Sequence, residues 1–308
     1  MENQTVMLVL SGLSDHPSLQ FPLFLVFLLV YLMTLTGNLL IVLLICTDSH
    51  LHTPMYFFLG TLACLDIGYS SVTTPGMLFG LLKQERVISL QACITQIYFF
   101  IGFASSEIVL LAVMSYDRYV AICHPLRYLQ IMTWKTCFLL ASGLLSIGMM
   151  NSLVHALFSL KLTFCSSNTL QSLFCDLPQL LEISCSDTFI NVLLILILSI
   201  FPGGGIFALT FCPYIIILKT IMKMQSKVMR SKAFSTCSSH LTVVFIFYVS
   251  IYLNYFRPTF KYISGDGITT SIFYAVLTPL LNPIIYSLRN QELKISLKRS
   301  LIKKQILK

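Results

Sequence analysis

Long apolar stretches alternate with short polar ones along the whole chain. Seven stretches reach or exceed the roughly 20 residues that a helix needs to cross the hydrocarbon core. They cover residues 22–47, 55–82, 92–122, 137–160, 188–218, 234–256 and 268–288. A membrane β-barrel is excluded, because its strands would show short segments with a period of two. The pattern predicts an all-α membrane protein, a bundle of seven transmembrane helices.

The composition agrees with a chain that lies mainly in lipid. Of the 308 residues, 56% are hydrophobic and only 10% are charged, and the mean hydropathy is +0.84. A soluble domain carries about 25% charged residues. A soluble enzyme and a disordered chain are therefore both excluded.

Lys and Arg are concentrated on one side of the predicted bundle. With the N-terminus outside, the cytoplasmic segments carry 15 of them and the opposite side carries 5. Because basic loops stay in the cytoplasm, we predict a multi-pass plasma-membrane protein with residues 1–21 extracellular. Residues 22–288 then form the transmembrane domain and residues 289–308 the cytoplasmic tail. The net charge of +8 is explained by these cytoplasmic Lys and Arg residues, which face the anionic inner leaflet. No nucleic-acid partner is therefore expected.

The sequences of the two termini predict how each terminus is processed or placed at the membrane. Residues 1–21 contain no Lys, no Arg and no long apolar core, so we expect no cleaved signal peptide. Asn3 begins the chain's only glycosylation sequon, and an extracellular N-terminus would expose it to glycosylation. After span seven, Leu293, Leu297 and Leu301 recur at helical spacing among basic residues. This predicts a short amphipathic helix on the inner leaflet.

Four of the ten cysteines lie on the predicted extracellular side. Cys93 lies at the outer end of span three, where the span begins, and Cys165, Cys175 and Cys185 follow span four. An oxidising compartment favours disulfides, and four cysteines allow three pairings. A zinc site is disfavoured, because the segment has no CxxC pair and no interleaved His. Two disulfides would fix the loop 161–187 as a lid over the bundle.

Two acids lie within the predicted spans, Asp66 in span two and Glu107 in span three. A charge at the centre of a membrane helix costs roughly 2.5–3.5 kcal/mol, so each should face the bundle interior with a partner. No Lys or Arg lies at similar depth. The two carboxyl groups must therefore share protons or hold a cation such as sodium, with Asn38, Ser71 and Asn282 as additional ligands.

Distinctive motifs stand at the ends of the spans and cover all seven in order. They are GN at 37–38, LHTPMYFFL at 51–59, LD at 65–66, MSYDRYVAIC at 114–123, HPLRY at 124–128, KAFSTCSSHL at 232–241 and PLLNPIIYSLRN at 279–290. These motifs resemble those of the olfactory receptors, a family of rhodopsin-like G-protein-coupled receptors. LHTPMY resembles the tetrapod-type branch of that family.

The resemblance implies a receptor, not an enzyme. Such a receptor would bind a small, mostly apolar volatile odorant and activate a stimulatory olfactory-type G protein, which raises cAMP. The resemblance also implies disulfides Cys93–Cys175 and Cys165–Cys185, and no cofactor apart from a sodium ion at Asp66 and Glu107. It assigns G-protein coupling and activation to Asp117, Arg118, Tyr119, Tyr214, Lys232, Asn282, Pro283 and Tyr286.

Helical spacing and the family pattern together predict a ligand cavity in the outer third of the bundle. Its predicted lining residues are Phe100, Ile101, Ala104, Ser105, Leu177, Tyr248, Ile251, Tyr252, Tyr255, Ile272 and Ala275. An amine receptor is not expected, because Phe100 stands where those receptors present an acid. An opsin is not expected either, because span seven contains no Lys for a Schiff base.

The alternative function is an ion-coupled transporter or channel that uses Asp66 and Glu107. An odd number of spans without an internal repeat argues against it. A membrane enzyme is not expected either, because the sequence contains no recognisable nucleophile or metal-binding motif. The sequence departs from the family pattern at 60–63, at Ser115 and at Pro213. Of these, Pro213 is expected to kink span five and weaken coupling.

The predicted cytoplasmic end of span six lacks an acid. Segment 219–234 contains five basic residues and no Asp or Glu. Arg118 is therefore expected to pair with Asp117, and the resting receptor to show basal activity.

Overall fold

Helices make up most of the structure, a computed structural model that describes residues 6–11, 17–83, 87–165, 168–255 and 273–306. The helices are α1 Pro17–Thr47, α2 Pro54–Lys83, α3 Leu90–Cys123, α4 Tyr128–Ile131, α5 Trp134–Ser159, α6 Leu177–Glu182, α7 Phe189–Ile195, α8 Phe201–Lys223, α9 Lys227–Tyr255, α10 Thr278–Arg289 and α11 Gln291–Ile306. Two π-helical turns precede α8 and α10, at Leu196–Ile200 and Phe273–Leu277.

Five of the described helices are long and apolar enough to cross a membrane. They are α1, α2, α3, α5 and the continuous helix Phe189–Lys223, which is called the fifth span below. Shorter apolar helical segments at 240–251 and 275–287 lie within α9 and across the start of α10. The order of the helices is the one that the apolar stretches predict.

The helices extend further than the apolar stretches at several ends. α9 begins at Lys227 although its apolar stretch begins at residue 234, because polar and basic side chains continue the helix beyond the lipid. α8 runs through Pro213 without interruption.

A small sheet at one end of the bundle has no signal in the hydrophobic pattern. Strand β1, Met7–Leu10, lies between β2, Val87–Ser89, and β3, Thr169–Leu170. β1 is antiparallel to β2 and parallel to β3. The strands tie the N-terminal segment and the loop after α5 to the start of α3.

The loop after α5 forms a lid over the same end. Disulfides join Cys93 at the start of α3 to Cys175, and Cys165 to Cys185 within the loop. Gln96 reinforces the attachment, since its Oε1 accepts the Cys175 N–H at 2.8 Å. The end of the bundle that carries the sheet and this loop is called the lid end below. The opposite end, which carries Arg118 and α11, is called the basic end.

α3 is the central helix, and it packs closely against α5. The hydroxyl group of Ser106 donates to the carbonyl oxygens of Gly102 and Leu144, which lie on α3 and α5. A Cβ at Gly148 would lie 2.9 Å from the backbone nitrogen of Ser106. Glycine is therefore required where the two helices meet.

Candidate functional site

A cavity of about 640 Å³ lies between α3, the fifth span, α9 and α10. This volume falls within the range of about 300–1,000 Å³ that small-molecule sites occupy. The lid contacts one of its lining residues, because the ring of Phe174 in the lid packs on that of Phe100 with centroids 5.1 Å apart. Phe100 in turn packs on Tyr69 of α2 at 4.6 Å.

Most of the predicted lining residues that the structure describes reach this cavity. They are Phe100, Ile101, Ala104, Ser105, Tyr248 and Ile251. The side chains of Tyr252 and Tyr255, and the whole of Ile272, lie outside the described residues.

Two predicted residues lie elsewhere. Leu177 begins α6, directly after the disulfide at Cys175, and is buried in the core under the lid. Ala275 is buried beside Thr73 and Thr74 of α2, where it borders a separate small gap. Leu177 lies at the start of α6, and Ala275 lies in the π-helical turn before α10. Helical spacing along α3 and α9 does not determine where these two side chains point.

The fifth span provides a wall of the cavity that the sequence reasoning missed. Its lining residues are Ser199, Ile200, Gly203, Gly204, Phe207 and Phe211. The π-helical turn at Leu196–Ile200 brings Ser199 and Ile200 onto this wall, and such turns often occur at functional sites. The run of glycines at 203–205 was the available signal, since it leaves room for a ligand in an otherwise bulky helix.

Aromatic rings and a few hydroxyl groups define the chemistry of the cavity. The ring of Tyr248 packs edge-on against Phe207 at 5.1 Å and lies 5.9 Å from Phe211. Ser105 accepts a hydrogen bond from Asn151 at 3.0 Å, and Ser199 lies 3.3 Å from Nε2 of His155. Both partners belong to α5, so this neighbouring helix orients the hydroxyl groups of Ser105 and Ser199 in the lining.

A buried polar cluster lies where α2, α3 and α10 meet. Asn282 donates from Nδ2 to both carboxylate oxygens of Asp66, at 3.0 and 3.1 Å, and to Oε1 of Glu107 at 3.2 Å. All three side chains are buried. The structure thus brings together the two acids and one of the three predicted ligands.

The other two predicted ligands have different partners. Asn38 donates to the carbonyl oxygens of Thr34 and Pro279. Ser71 is hydrogen-bonded to the hydroxyl group of Tyr31 at 3.1 Å, on another face of α2. Within the described ranges, no group of three or more His, Cys, Asp or Glu side chains could hold a metal ion.

The cluster at Asp66 nevertheless has the chemistry of a small cation site. Its donors are carboxylate oxygens, which suit hard cations, and rotation of the Asn282 amide would add a carbonyl oxygen. A cation bound there would be coordinated by the carboxylates of Asp66 and Glu107 and by the amide oxygen of Asn282.

At the basic end, Arg118 pairs with its sequence neighbour. Its guanidinium group donates to Oδ2 of Asp117, with 2.9 Å from Nε, and Tyr128 donates to Oδ1 of the same carboxylate at 2.8 Å. Burial raises the pKa of Tyr128, and the Asp117 carboxylate raises it further. The phenol therefore remains a hydrogen-bond donor to Asp117.

The remaining predicted activation residues have separate contacts. Tyr214 and His240 are hydrogen-bonded to each other, and Tyr119 lies 3.1 Å from Nε2 of His124. The hydroxyl group of Tyr286 is buried without a hydrogen-bond partner among the described residues. Pro283 packs on α1, since a Cβ at Gly37 would lie 3.2 Å from its Cβ. The side chain of Lys232 lies outside the described residues.

Comparison with known sequences gives matches over nearly the whole chain. A profile described as olfactory receptor matches residues 27–304. Olfactory receptor 5B12 of Homo sapiens is 46% identical over 302 residues, which cover 97% of this chain and 96% of the relative. Olfactory receptor 5AR1 of Mus musculus is 44% identical over 305 residues, 98% of each chain.

Comparison with solved structures gives a match in fold. The crystal structure of squid rhodopsin superimposes with a TM-score of 0.63 and covers 94% of this chain and 87% of its own. The two sequences are 16% identical, so this match concerns the fold alone. The predicted all-α, seven-helix membrane bundle is confirmed.

Proposed function

The chain belongs to the olfactory receptor family of rhodopsin-like G-protein-coupled receptors, and on this premise we propose that its ligand is a small, mostly apolar volatile molecule. The family matches confirm the resemblance of the sequence motifs to those of olfactory receptors. Membership makes the chain a multi-pass membrane receptor and sets aside the enzyme, transporter and channel alternatives.

The observation that carries the proposal is the cavity at the lid end. Its lining includes the rings of Phe100, Phe207, Phe211 and Tyr248, and apolar walls with a few polar groups are typical of small-molecule sites. Ser105 and Ser199 offer hydrogen bonds, and the described lining contains no charged side chain. A neutral molecule with one hydrogen-bonding group fits this lining best.

The proposed signal passes to a stimulatory olfactory-type G protein that raises cAMP. In this proposal the protein lies in the plasma membrane with its N-terminus extracellular and its basic end in the cytoplasm. Asn3, which lies outside the described residues, is then glycosylated. The charge distribution supports this orientation, because 15 of the 20 Lys and Arg would then be cytoplasmic. Arg118 would leave Asp117 to contact the G protein, while Lys232, Tyr214 and Tyr286 would rearrange around it.

The polar cluster would regulate this step. Asp66 and Glu107 are proposed to hold a sodium ion or a shared proton next to Asn282 and Pro283, in the helix that must move during activation. The absence of any Lys or Arg at that depth supports the need for a neutralising partner.

The test is a cAMP assay in cells that express this chain with a stimulatory olfactory-type G protein, on a panel of neutral volatile compounds. A matched pair of variants separates ligand binding from folding. Gly203 lines the cavity and Gly205 does not, and a Cβ at either meets no atom within 4 Å.

We expect Gly203→Val to lower potency for the active compounds, because the new side chain occupies the cavity, and Gly205→Val to leave it unchanged. Equal effects of the two variants at equal surface display would contradict ligand binding in this cavity.

A further inference from the structure

A second, smaller groove lies on the membrane-facing side of the bundle at its basic end. Its volume is about 130 Å³, and its walls come from α1, α10 and α11. Gly37, Ile41, Pro283 and Leu293 form its base. Gly37 is what keeps the groove open to this depth, because any larger residue would meet the ring of Pro283.

The shape of the groove matches a single acyl chain. From Met33 to Leu44 its α1 wall rises roughly 16 Å at about 1.5 Å per residue. One leaflet contributes about half of the 30 Å hydrocarbon core, so the groove is as long as one leaflet is thick. Leu40 stands at the rim with 42% of its surface exposed, where lipid would contact it.

Among the described residues, the lining of the groove includes one charged side chain. Lys294 of α11 lines it, and the other polar lining residue, Ser287, donates its hydroxyl group to the carbonyl oxygen of Ile284. Arg299 on the same helix contacts Asp48 at 3.4 Å. In the part of the chain that the structure describes, no carboxylate lies within ion-pair distance of Lys294.

We propose that this groove is a binding site for one anionic phospholipid, with an acyl chain along Gly37 and Ile41 and the phosphate group at Lys294. Charge complementarity selects the occupant, because a basic group at the end of an apolar groove attracts anionic headgroups in its leaflet. A sterol would use the apolar groove and leave Lys294 without a counter-charge. The bound lipid would contact Pro283 and Ile284, which belong to the helix that carries Asn282.

The test uses the full chain in phosphatidylcholine nanodiscs, doped with phosphatidylserine or phosphatidylcholine that bears the same diazirine acyl chain. After illumination, mass spectrometry compares labelling of segments 33–44 and 280–287 by the two lipids. Labelling of α5, whose exposed apolar residues face bulk lipid, is the internal reference. This readout needs no odorant, so it succeeds or fails independently of the proposed function.

We expect phosphatidylserine to be favoured at the groove about five-fold over the reference, the factor that corresponds to about 1 kcal/mol per basic residue at an anionic surface. Lys294→Gln should remove the preference, and Lys294→Arg should retain it. Lys298→Gln is the matched control, because Lys298 is exposed on the same helix and does not line the groove.

A second matched pair tests the acyl-chain position. Leu40→Trp fills the rim and should abolish labelling, whereas Leu39→Trp, at a neighbour that is also exposed but lies outside the groove, should not. The proposal is overturned if Lys294→Gln and Lys298→Gln act alike, which would indicate diffuse attraction. It is also overturned if both lipids label equally, or if a sterol displaces them and binds the Lys294→Gln variant unchanged.

Discussion

Tyr214 of α8 and His240 of α9 join the two helices at the basic end. The phenol hydroxyl group is hydrogen-bonded to Nδ1 of the imidazole, and the two rings stack with centroids 5.8 Å apart. Both side chains are buried, and Nε2 of His240 has no partner among the described residues. The pair therefore holds α9 against α8 through one polar contact that is sheltered from water.

Removal of that contact should loosen the resting receptor. Tyr214→Phe keeps the stacked ring and deletes one neutral hydrogen bond, worth about 1 kcal/mol or about five-fold in an equilibrium. We expect basal cAMP to rise by up to this factor. Tyr116→Phe, at an exposed tyrosine of α3, is the control. Unchanged or lower basal cAMP in Tyr214→Phe would show that the pair does not stabilise the resting state.

The Asp117–Arg118 pair gives a second prediction. Because segment 219–234 provides no acid for Arg118, we expect measurable basal cAMP in the unmodified receptor, compared with mock-transfected cells. Asp117→Asn should raise it, since the charged partner of Arg118 is lost. Arg118→Ala should abolish signalling at normal surface display. Basal cAMP no higher than in mock cells would contradict the prediction.

Loss of the two disulfides should lower the stability of the folded receptor to different extents. Cys93–Cys175 spans 82 residues and attaches the lid to α3, whereas Cys165–Cys185 spans 20 residues within the lid. In the loop-entropy description, closing a longer loop stabilises more, about 3 kcal/mol at 15 residues and about 4.7 at 100. We expect the double serine variant at Cys93 and Cys175 to lower the thermal unfolding temperature more than that at Cys165 and Cys185. The reverse order would mean that the lid is held mainly by its own packing.

The polar cluster yields a prediction on ion removal. If sodium occupies the site at Asp66 and Glu107, replacing sodium in the buffer by a bulky organic cation should lower the unfolding temperature of purified receptor by a few degrees, because bound ligand stabilises the folded state. Asp66→Asn should remove this dependence, while Asp48→Asn, at a carboxylate outside the spans, should preserve it. A response to pH without any response to sodium would indicate a shared proton instead.

The sequence predicted the bundle because lipid leaves little choice of structure. Each apolar stretch had to become a helix, and the sequence placed Asp66, Glu107 and Asn282 within spans two, three and seven, which the structure brings together. Ser71 failed as a ligand for a geometric reason. It follows Asp66 by five residues, so it lies about 140° away around the helix, whereas Ser70 remains on the acid's face and donates to its carbonyl oxygen.

The small sheet and the fifth-span wall of the cavity could not be predicted, because neither produces a periodic pattern of hydrophobic residues. The sheet joins Val9 to Val87 and Thr169, which are far apart in sequence and pair over only a few residues. The fifth-span wall depends on the π-helical turn at Leu196–Ile200, which shifts the face that uniform helical spacing would assign. Patterns of hydrophobicity show which residues enter the membrane, and these local breaks determine which of them reach the cavity.

The two oriented hydroxyl groups of the cavity give the last prediction. Ser199→Ala and Ser105→Ala each remove a hydrogen bond to a ligand's hydroxyl or carbonyl group, and a neutral hydrogen bond contributes about 0.5–1.5 kcal/mol.

For any active compound that carries such a group, we expect at least one of the two variants to raise the half-maximal concentration about three- to ten-fold in the cAMP assay. His155→Phe should give a smaller shift in the same direction as Ser199→Ala, because His155 positions that hydroxyl group from α5. Ser142→Ala is the control, since Ser142 is exposed on α5 and bonds only to its own helix. If neither Ser105→Ala nor Ser199→Ala changes potency while Gly203→Val does, the ligand occupies the cavity without a hydrogen bond to either hydroxyl group, and the proposed role of these two serines is wrong.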